Sequence, residues 1–501
     1  MFLAYHRALL LSAAMPLAAR DCSNEGARAC EALVSAGLGD QVLAMADAAY
    51  EARLESWWSS SSRLRPACIV QPKNAQDVAK IVSVLGQNTT GDFAVRSGGH
   101  SHWAGGNNID GGVTVDLGHL RATKYNTETG IASIEPSSRW ADAFLTLERS
   151  GVAVPGGRDG NVGIGGFLTG GGNSYYTGLY GFGCDSVVNA EIVLADGSII
   201  DANKDSHPDL LKALKGGWGN FGIVTRFDLE TFPSKPLWGG IRASENSHTA
   251  AVGAAMVNFT ANYHKNPEAA YLINFTYNPG MSSDILVAQV VVDTSGKVAP
   301  PAFDQALAVP ELFNDIKVRS MGNMSNDYLL PPSLHNVWFT LTFKNDERVI
   351  QKSAELHEKL VAEMLKTVPT NDLGTQNLFQ PIPKFFAEIG ESRGGNVLGL
   401  DQVEGDSLMW LLACTVREPE HEKLLHEKGL EMKAALEEFA NSIDALRPWV
   451  YINYADPTQD PISSYGKANV EFLQKVSAKY DPTGMFQRRM RSGFKLPAAA
   501  N

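Results

Sequence analysis

Glycine placement constrains this chain more than any other feature. Its 47 glycines are only modestly above the average share of roughly 7%, but they gather in four runs: 98–118, 156–172, 178–183 and 216–222. Glycine is needed where backbone approaches a ligand closely or takes positive φ. Several such runs in one chain imply several loops converging on one large ligand. The densest is "RSGGHSHWAGG", Arg96 to Gly106, directly after the strand-like Phe93-Ala94-Val95. Successive N–H groups in such a turn form an anion-binding nest, and Ser97 to Ser101 can supply one. The spacing is not that of a P-loop, which needs GxxxxGK[ST]. Nor is it a dinucleotide fingerprint: Gly163-Ile164-Gly165-Gly166 has no acidic residue on a second parallel strand where a ribose would need it. Glycine spacing alone therefore implies a large anionic ligand and stops there.

A chain of 501 residues exceeds the ~250–300 at which single cores stop growing, so two domains are expected. The net charge of -12 and the lack of a basic stripe argue against a nucleic-acid partner, whose binding rests on neutralising phosphates. Residues 1–19 read as a secretory signal peptide: His6 and Arg7, an apolar run Ala8–Ala14, Pro16, then Ala18 and Ala19. A buried N-terminal helix is the alternative. The apolar run is too short for a membrane span of ~20 residues. Secretion agrees with four glycosylation sequons, at Asn88, Asn258, Asn274 and Asn323, each usable only if exposed. It also agrees with three N-terminal cysteines, of which Cys30 and Cys68 are the expected disulfide. No cysteine–histidine cluster has metal-ligand spacing, so no metal is expected. Oligomeric state cannot be read from these features.

Along the chain, "CIVQPKNAQDVAKIVSVLGQ" reads as a strand, then a helix capped by Asn74, with Val78, Ile81, Val82 and Leu85 at helical spacing. Ile192–Ile200 reads as a hairpin turning at Asp196-Gly197. Everything to about Pro233 has many short strands. After Pro236 the glycine runs stop, and strands such as Ile285–Asp293 and Leu408–Val416 alternate with long helices. In one helix Leu425, Gly429, Met432, Leu436 and Phe439 share a face.

These pieces, taken in order, carry a resemblance. Arg96-Ser97-Gly98-Gly99-His100, Val162-Gly163-Ile164-Gly165-Gly166 with Gly170-Gly171-Gly172, Cys184-Asp185-Ser186-Val187, "GGWGNFGIVT" from Gly216 to Thr225, and finally "YINYAD" with "KYDP" are similar to the berberine bridge enzyme-like branch of the vanillyl-alcohol oxidase flavoproteins, with a PCMH-type FAD-binding domain. The ensemble is specific although each piece is weak. The resemblance implies an α+β flavoprotein of two domains. The FAD domain, residues 45–235, is completed by a C-terminal segment, 448–497. Between them residues 236–447 form a substrate domain with an antiparallel sheet covered by helices.

It also implies FAD bonded covalently to His100. Many members add a second bond from a cysteine; here that position is Asp159, and Phe167 stands where the family motif has histidine, so a single histidyl link is expected. The cofactor-binding set matched by the family motifs is Arg96, Ser97, Gly98, Gly99, Ser101, Val162, Gly163, Gly165, Gly166, Gly170, Gly171, Gly172, Gly217, Gly222, Ile223, Val224 and Asn453. Val162 matches a position where oxygen-using members carry valine, which favours an oxidase, although core packing alone also selects valine. Tyr451 matches the substrate-facing tyrosine, base or pocket wall. Gln380 and Trp410 fall where the substrate sheet faces the flavin, and Tyr175 and Tyr176 follow the glycine triplet. His102 has no family role. The implied activity is a secreted oxidase that passes a hydride from an alcohol carbon of a carbohydrate or secondary metabolite to FAD, and electrons to O2. An oxidative cyclase, a dehydrogenase with another acceptor, and a flavin-binding protein of little turnover remain open.

Overall fold

The structure, a computed structural model, describes residues 22–498; the expected leader falls outside the described residues. Cys30 and Cys68 are joined as expected, tying the helix Cys22–Leu33 to the strand Cys68–Val70. Asn74 caps the helix Ala75–Asn88 by accepting the Asp77 N–H at 2.9 Å, while the Asp77 carboxylate accepts the Lys73 N–H at 3.0 Å. The cap fixes where the helix begins, so Val78, Ile81, Val82 and Leu85 all face inward. They pack against a four-stranded sheet in the order Val42–Ala44, Cys68–Val70, Val113–Asp116, Phe93–Arg96, whose last three strands are parallel.

Phe93–Arg96 lies at the edge of this sheet, and the C-terminal segment covers it. Phe93 N–H donates to the Arg489 carbonyl at 3.0 Å, Arg491 N–H donates to the Phe93 carbonyl at 2.7 Å, and Val95 N–H donates to Ser492 Oγ at 3.0 Å. A second sheet is antiparallel, in the order Thr123–Asn126, Ile131–Ile134, Ile223–Glu230, Val187–Val193, Ile199–Asn203. It contains the expected hairpin, with Gly197 at φ 84° in the turn.

Sheet membership changes after Pro236. Leu237–Glu245 enters a nine-stranded antiparallel sheet whose centre runs Leu286–Asp293, Ala269–Tyr277, Gly374–Ile382, Ser407–Val416, His335–Lys344. The helices Thr249–Asn262, Glu347–Met364 and Pro419–Ser442 cover one face. Leu425, Gly429, Met432 and Leu436 of the last are buried as their spacing requires; Ala440 replaces Phe439, which is only half-buried, as the next inward step. Among the described residues no helix is long and apolar enough to cross a membrane. Asn88, Asn258 and Asn323 are exposed. Asn274 is not a usable sequon, because it lies within the large sheet with its amide bonded to Asn377 N–H and Gln376.

The other face of the large sheet looks towards the glycine loops, which meet backbone on backbone. A methyl group added to Gly163 would sit 2.5 Å from Gly98 Cα, and one on Gly98 would sit 2.4 Å from Gly163 Cα. Neither loop can carry a side chain there. Gly163→Ala is expected to cost about 1–3 kcal/mol by overpacking, read as a lowered thermal midpoint in calorimetry.

Candidate active site

Between the glycine loops and the open face of the nine-stranded sheet lies a cavity of about 790 Å³, within the range of roughly 300–1,000 Å³ typical of ligand sites. One wall is the turn Ser97–Ser101 with Val162, Gly163, Gly165 and Gly166; the opposite wall is the sheet, through Leu272, Val290, Trp338, Leu378 and Leu411. A Cβ on Gly166 would meet nothing within 4 Å, so at that point the backbone itself borders open space.

His100 lies in this wall. Its ring stacks on Trp58 with centroids 4.1 Å apart, and its Nε2 is buried without a hydrogen-bond partner, 3.7 Å from Asp159 Oδ2. Burial pushes the imidazole down to about 3, with nearby Arg139 acting in the same direction, so the ring is neutral at ordinary pH. Asp159 is fixed by the N–H groups of Leu330, at 3.0 Å, and Asn161, at 2.7 Å; burial nevertheless raises its carboxyl. His102, which has no role by motif, also lines the cavity, stacked on Trp338 with centroids 4.7 Å apart. Trp58 and Trp338 meet edge to face, joining the two histidines through one aromatic ladder.

Tyr451 is buried, and its oxygen accepts from Gly172 N–H at 3.1 Å, Asn173 N–H at 2.8 Å and Asn453 Nδ2 at 3.0 Å. A neutral phenol has two lone pairs to offer; three donors match the deprotonated oxygen better. The net shift is nevertheless upward: burial, with Tyr454 beside it, raises the phenol above its ordinary value, and the Asn173 and Asn453 donors and the Arg158 charge offset this only in part. Tyr454 packs edge-on against the Tyr451 ring, and its oxygen accepts from Arg158 Nη2 at 2.7 Å.

The structure brings Ser97, Gly98, Gly99, His100, Ser101, Val162, Gly163, Gly165, Gly166, Gly222, Ile223, Val224, Tyr451 and Asn453 to the cavity lining. Arg96 turns beneath the loop instead, its guanidinium 3.6 Å over the Trp57 ring and bonded to Ser56. Gly170, Gly171, Gly172 and Gly217 stand behind the lining: Gly172 N–H holds Tyr451, and Gly170 lies so close to Asn453 that a Cβ there would clash. Gln380 shares a sheet face with Gln376 and Leu378 but is covered by Asn173, whose Nδ2 donates to it at 3.3 Å. Tyr175 lines the cavity, whereas Tyr176 packs on Phe232. Trp410 is a correction. Its Nε1 donates at 2.5 Å to Asn377, which also accepts from Ser353 of the helix layer, so Trp410 faces the helices and its neighbour Leu411 takes the cavity face, as strand alternation requires.

Sequence reasoning missed Trp58, Arg158, Tyr454 and Trp338 as cavity residues. Arg158 was legible only as the neighbour of Asp159, ahead of the Val162–Gly166 run.

Comparison with known proteins accounts for this arrangement. Residues 66–203 match the FAD binding domain family and residues 450–489 match the berberine and berberine-like family. The FAD-dependent monooxygenase drtC of Aspergillus calidoustus is 36% identical over 94% of this chain and 90% of its own. The FAD-dependent monooxygenase sdcF of Emericella nidulans is 36% identical over 94% of this chain and 98% of its own. Among solved structures, xylooligosaccharide oxidase of Myceliophthora thermophila superposes with a TM-score of 0.75 at 20% identity, covering 94% of this chain and all of that one. Glucooligosaccharide oxidase of Acremonium strictum, described with 6-S-cysteinyl, 8α-N1-histidyl FAD, superposes with a TM-score of 0.74 at 19% identity over 95% of this chain and all of that one. The fold and the cavity thus define an FAD-dependent oxidoreductase of mixed α and β structure with an FAD-binding and a substrate-binding domain. The chain belongs to the berberine bridge enzyme-like family.

The residues present fit FAD. His100 lines the cavity with no hydrogen-bond partner at Nε2, and the wall at Gly166 is bare backbone.

His102 and His357 are both buried and held down to about 3 by desolvation. Below the ordinary histidine value the unfolded chain binds protons that the folded chain does not, so stability falls as pH drops from about 6.5 towards 3 and is full above it. By pH 5 each contributes a loss of about 2 kcal/mol. His102→Phe, which preserves the stack on Trp338, is expected to make the fall in thermal midpoint between pH 7 and pH 5 shallower.

Proposed function

We propose that the chain is a secreted oxidase with FAD on a single histidyl link at His100, acting on an alcohol carbon of a carbohydrate or secondary metabolite and releasing H2O2. The observation that carries this reading is His100 itself: neutral, clamped by Trp58, with a free ring nitrogen in the cavity wall. Residues 45–235 and 448–497 together form the FAD domain, and 236–447 the substrate domain. The turn Ser97–Ser101, Gly163–Gly166, Gly222–Val224 and Asn453 hold the cofactor. When bound, FAD supplies the acceptor for the hydride of the alcohol carbon and the route to O2.

The chain supplies the proton acceptor. Tyr451 takes the substrate hydroxyl proton, and the three donors on its oxygen support the phenolate this role requires, offsetting part of the rise that burial causes. Gln380 fixes Asn173, one of the donors, and so positions Tyr451. Asp159 occupies the place of a second tether and cannot form a thioether, which supports the single link. Val162 lines the cavity with a small side chain, which supports access by O2. The exposed sequons and the Cys30–Cys68 disulfide support secretion.

A second reading, oxygen insertion rather than oxidation, is favoured by the names of the two relatives above, both FAD-dependent monooxygenases. It differs in stoichiometry: an oxidase releases one H2O2 per product and incorporates no label from 18O2.

Acid-precipitated protein is expected to stay yellow, with peptide mass mapping placing the flavin on His100, and His100→Ala to release it. Colourless precipitate with no adduct would remove the tether. Tyr451→Phe is expected to retain flavin while kcat falls by roughly 10²–10⁴, the usual worth of a general base; an unchanged kcat would assign the proton to another group.

A further inference from the structure

Arg158 is a charged group of the cavity lining that the reaction above leaves without a task; Arg417, which also lines it, donates to the Asn371 carbonyl at 3.1 Å. The single hydrogen bond of Arg158 among the described residues runs from Nη2 to the Tyr454 oxygen at 2.7 Å, and it lies 5.9 Å over the Tyr175 ring. It makes no ion pair among the described residues, whereas Arg242 pairs with Glu311 at 2.9 Å, Arg319 with Asp315 at 3.4 Å and Arg96 with Asp116 at 3.8 Å. The nearest residue in sequence that carries a carboxylate, Asp159, is turned to His100. The guanidinium therefore lines the cavity with the Tyr454 oxygen as its one hydrogen-bond partner among the described residues.

The surroundings describe what would compensate it. Tyr175 and Tyr454 flank Arg158, and across the cavity stand Trp338, Leu378, Leu411 and Leu272. The wall around Arg158 is aromatic and aliphatic. The polar side chains of the sheet wall, Thr276, Asn278, Asp372, Gln376, Thr415 and Arg417, gather towards one end of the strands. A guanidinium offers a planar fork of donors matched to a carboxylate or a phenolate, and it does not deprotonate.

We propose that Arg158 anchors an anionic group of the substrate, a carboxylate or an ionised phenol or enol, carried on a flat apolar body that packs against Trp338 and Leu411. The substrate class is then an acidic aromatic or conjugated secondary metabolite rather than a neutral oligosaccharide. This deepens the function proposed above and rests on it for the reaction, but not for the binding.

The test uses purified full-length holoenzyme with benzoate and its neutral analogue benzamide, titrated by calorimetry and by the fluorescence of the cavity tryptophans. Benzoate is expected to bind at least tenfold more tightly. Arg158→Gln is expected to abolish that preference while leaving benzamide binding within threefold, and Arg158→Lys to restore part of it, which separates lost charge from lost packing. In turnover, paired aryl alcohols with a free carboxylate and with its methyl ester are expected to differ in kcat/KM in the same sense, and Arg158→Gln to level them. Equal binding of benzoate and benzamide, or a preference that survives in Arg158→Gln, would overturn the anchor. If flavin is then still found on His100, the oxidase reading stands without it; if His100 carries no flavin but benzoate is still preferred through Arg158, the reaction fails and the anion site remains.

Discussion

The cavity exists because two glycine loops can touch at Gly98 and Gly163 with nothing between their backbones. That contact brings the turn carrying His100 and the turn carrying Asp159 and Val162 to one wall, although some sixty positions separate them in sequence. Where side chains are excluded, backbone amides become the surface, and the wall can accept a large anion without steric cost. Three features of the site are registered from this seam: the His100–Asp159 approach, the bare edge at Gly166, and the helix Ile164–Thr169 that starts directly after it.

The opposite wall follows a different logic. A nine-stranded antiparallel sheet turns one face to three helices and the other to the loops, so alternate residues on each strand serve opposite purposes. Trp410, Asn377 and Ser353 knit the sheet to its helix layer, and Leu411 and Leu378 front the cavity. Rigid backing of this kind lets an apolar wall hold its shape while the polar residues around Tyr451 are positioned by backbone donors, which carry no side-chain entropy to lose.

Much of this was legible from residues alone, and the limits have physical causes. Glycine runs report where backbone must be bare, and the motif order around them reports the family; both survive without coordinates. The cap at Asn74 and the turn at Asp196-Gly197 were readable because their determinants are local. Trp410 was misplaced because periodicity shows that a strand has two faces but not which one meets the ligand. Asp159 reads in sequence as a missing cysteine, and only geometry shows it as an acid 3.7 Å from His100. Arg158 has no motif at all. Its significance lies in having no carboxylate paired with it among the described residues, and that leaves no trace in a sequence.

The segment that borders Phe93–Arg96 arrives almost four hundred residues later, yet Met490 and Ser492 help to enclose the same chamber as Val95 and Ser97. On the ribosome, then, the chamber's first wall is made early and waits, open on one side, until nearly the whole polypeptide has emerged. A chain cut short before this closing strip keeps nearly all of its core but lacks Met490 and Ser492 from the chamber's lining and leaves the edge at Phe93–Arg96 bare.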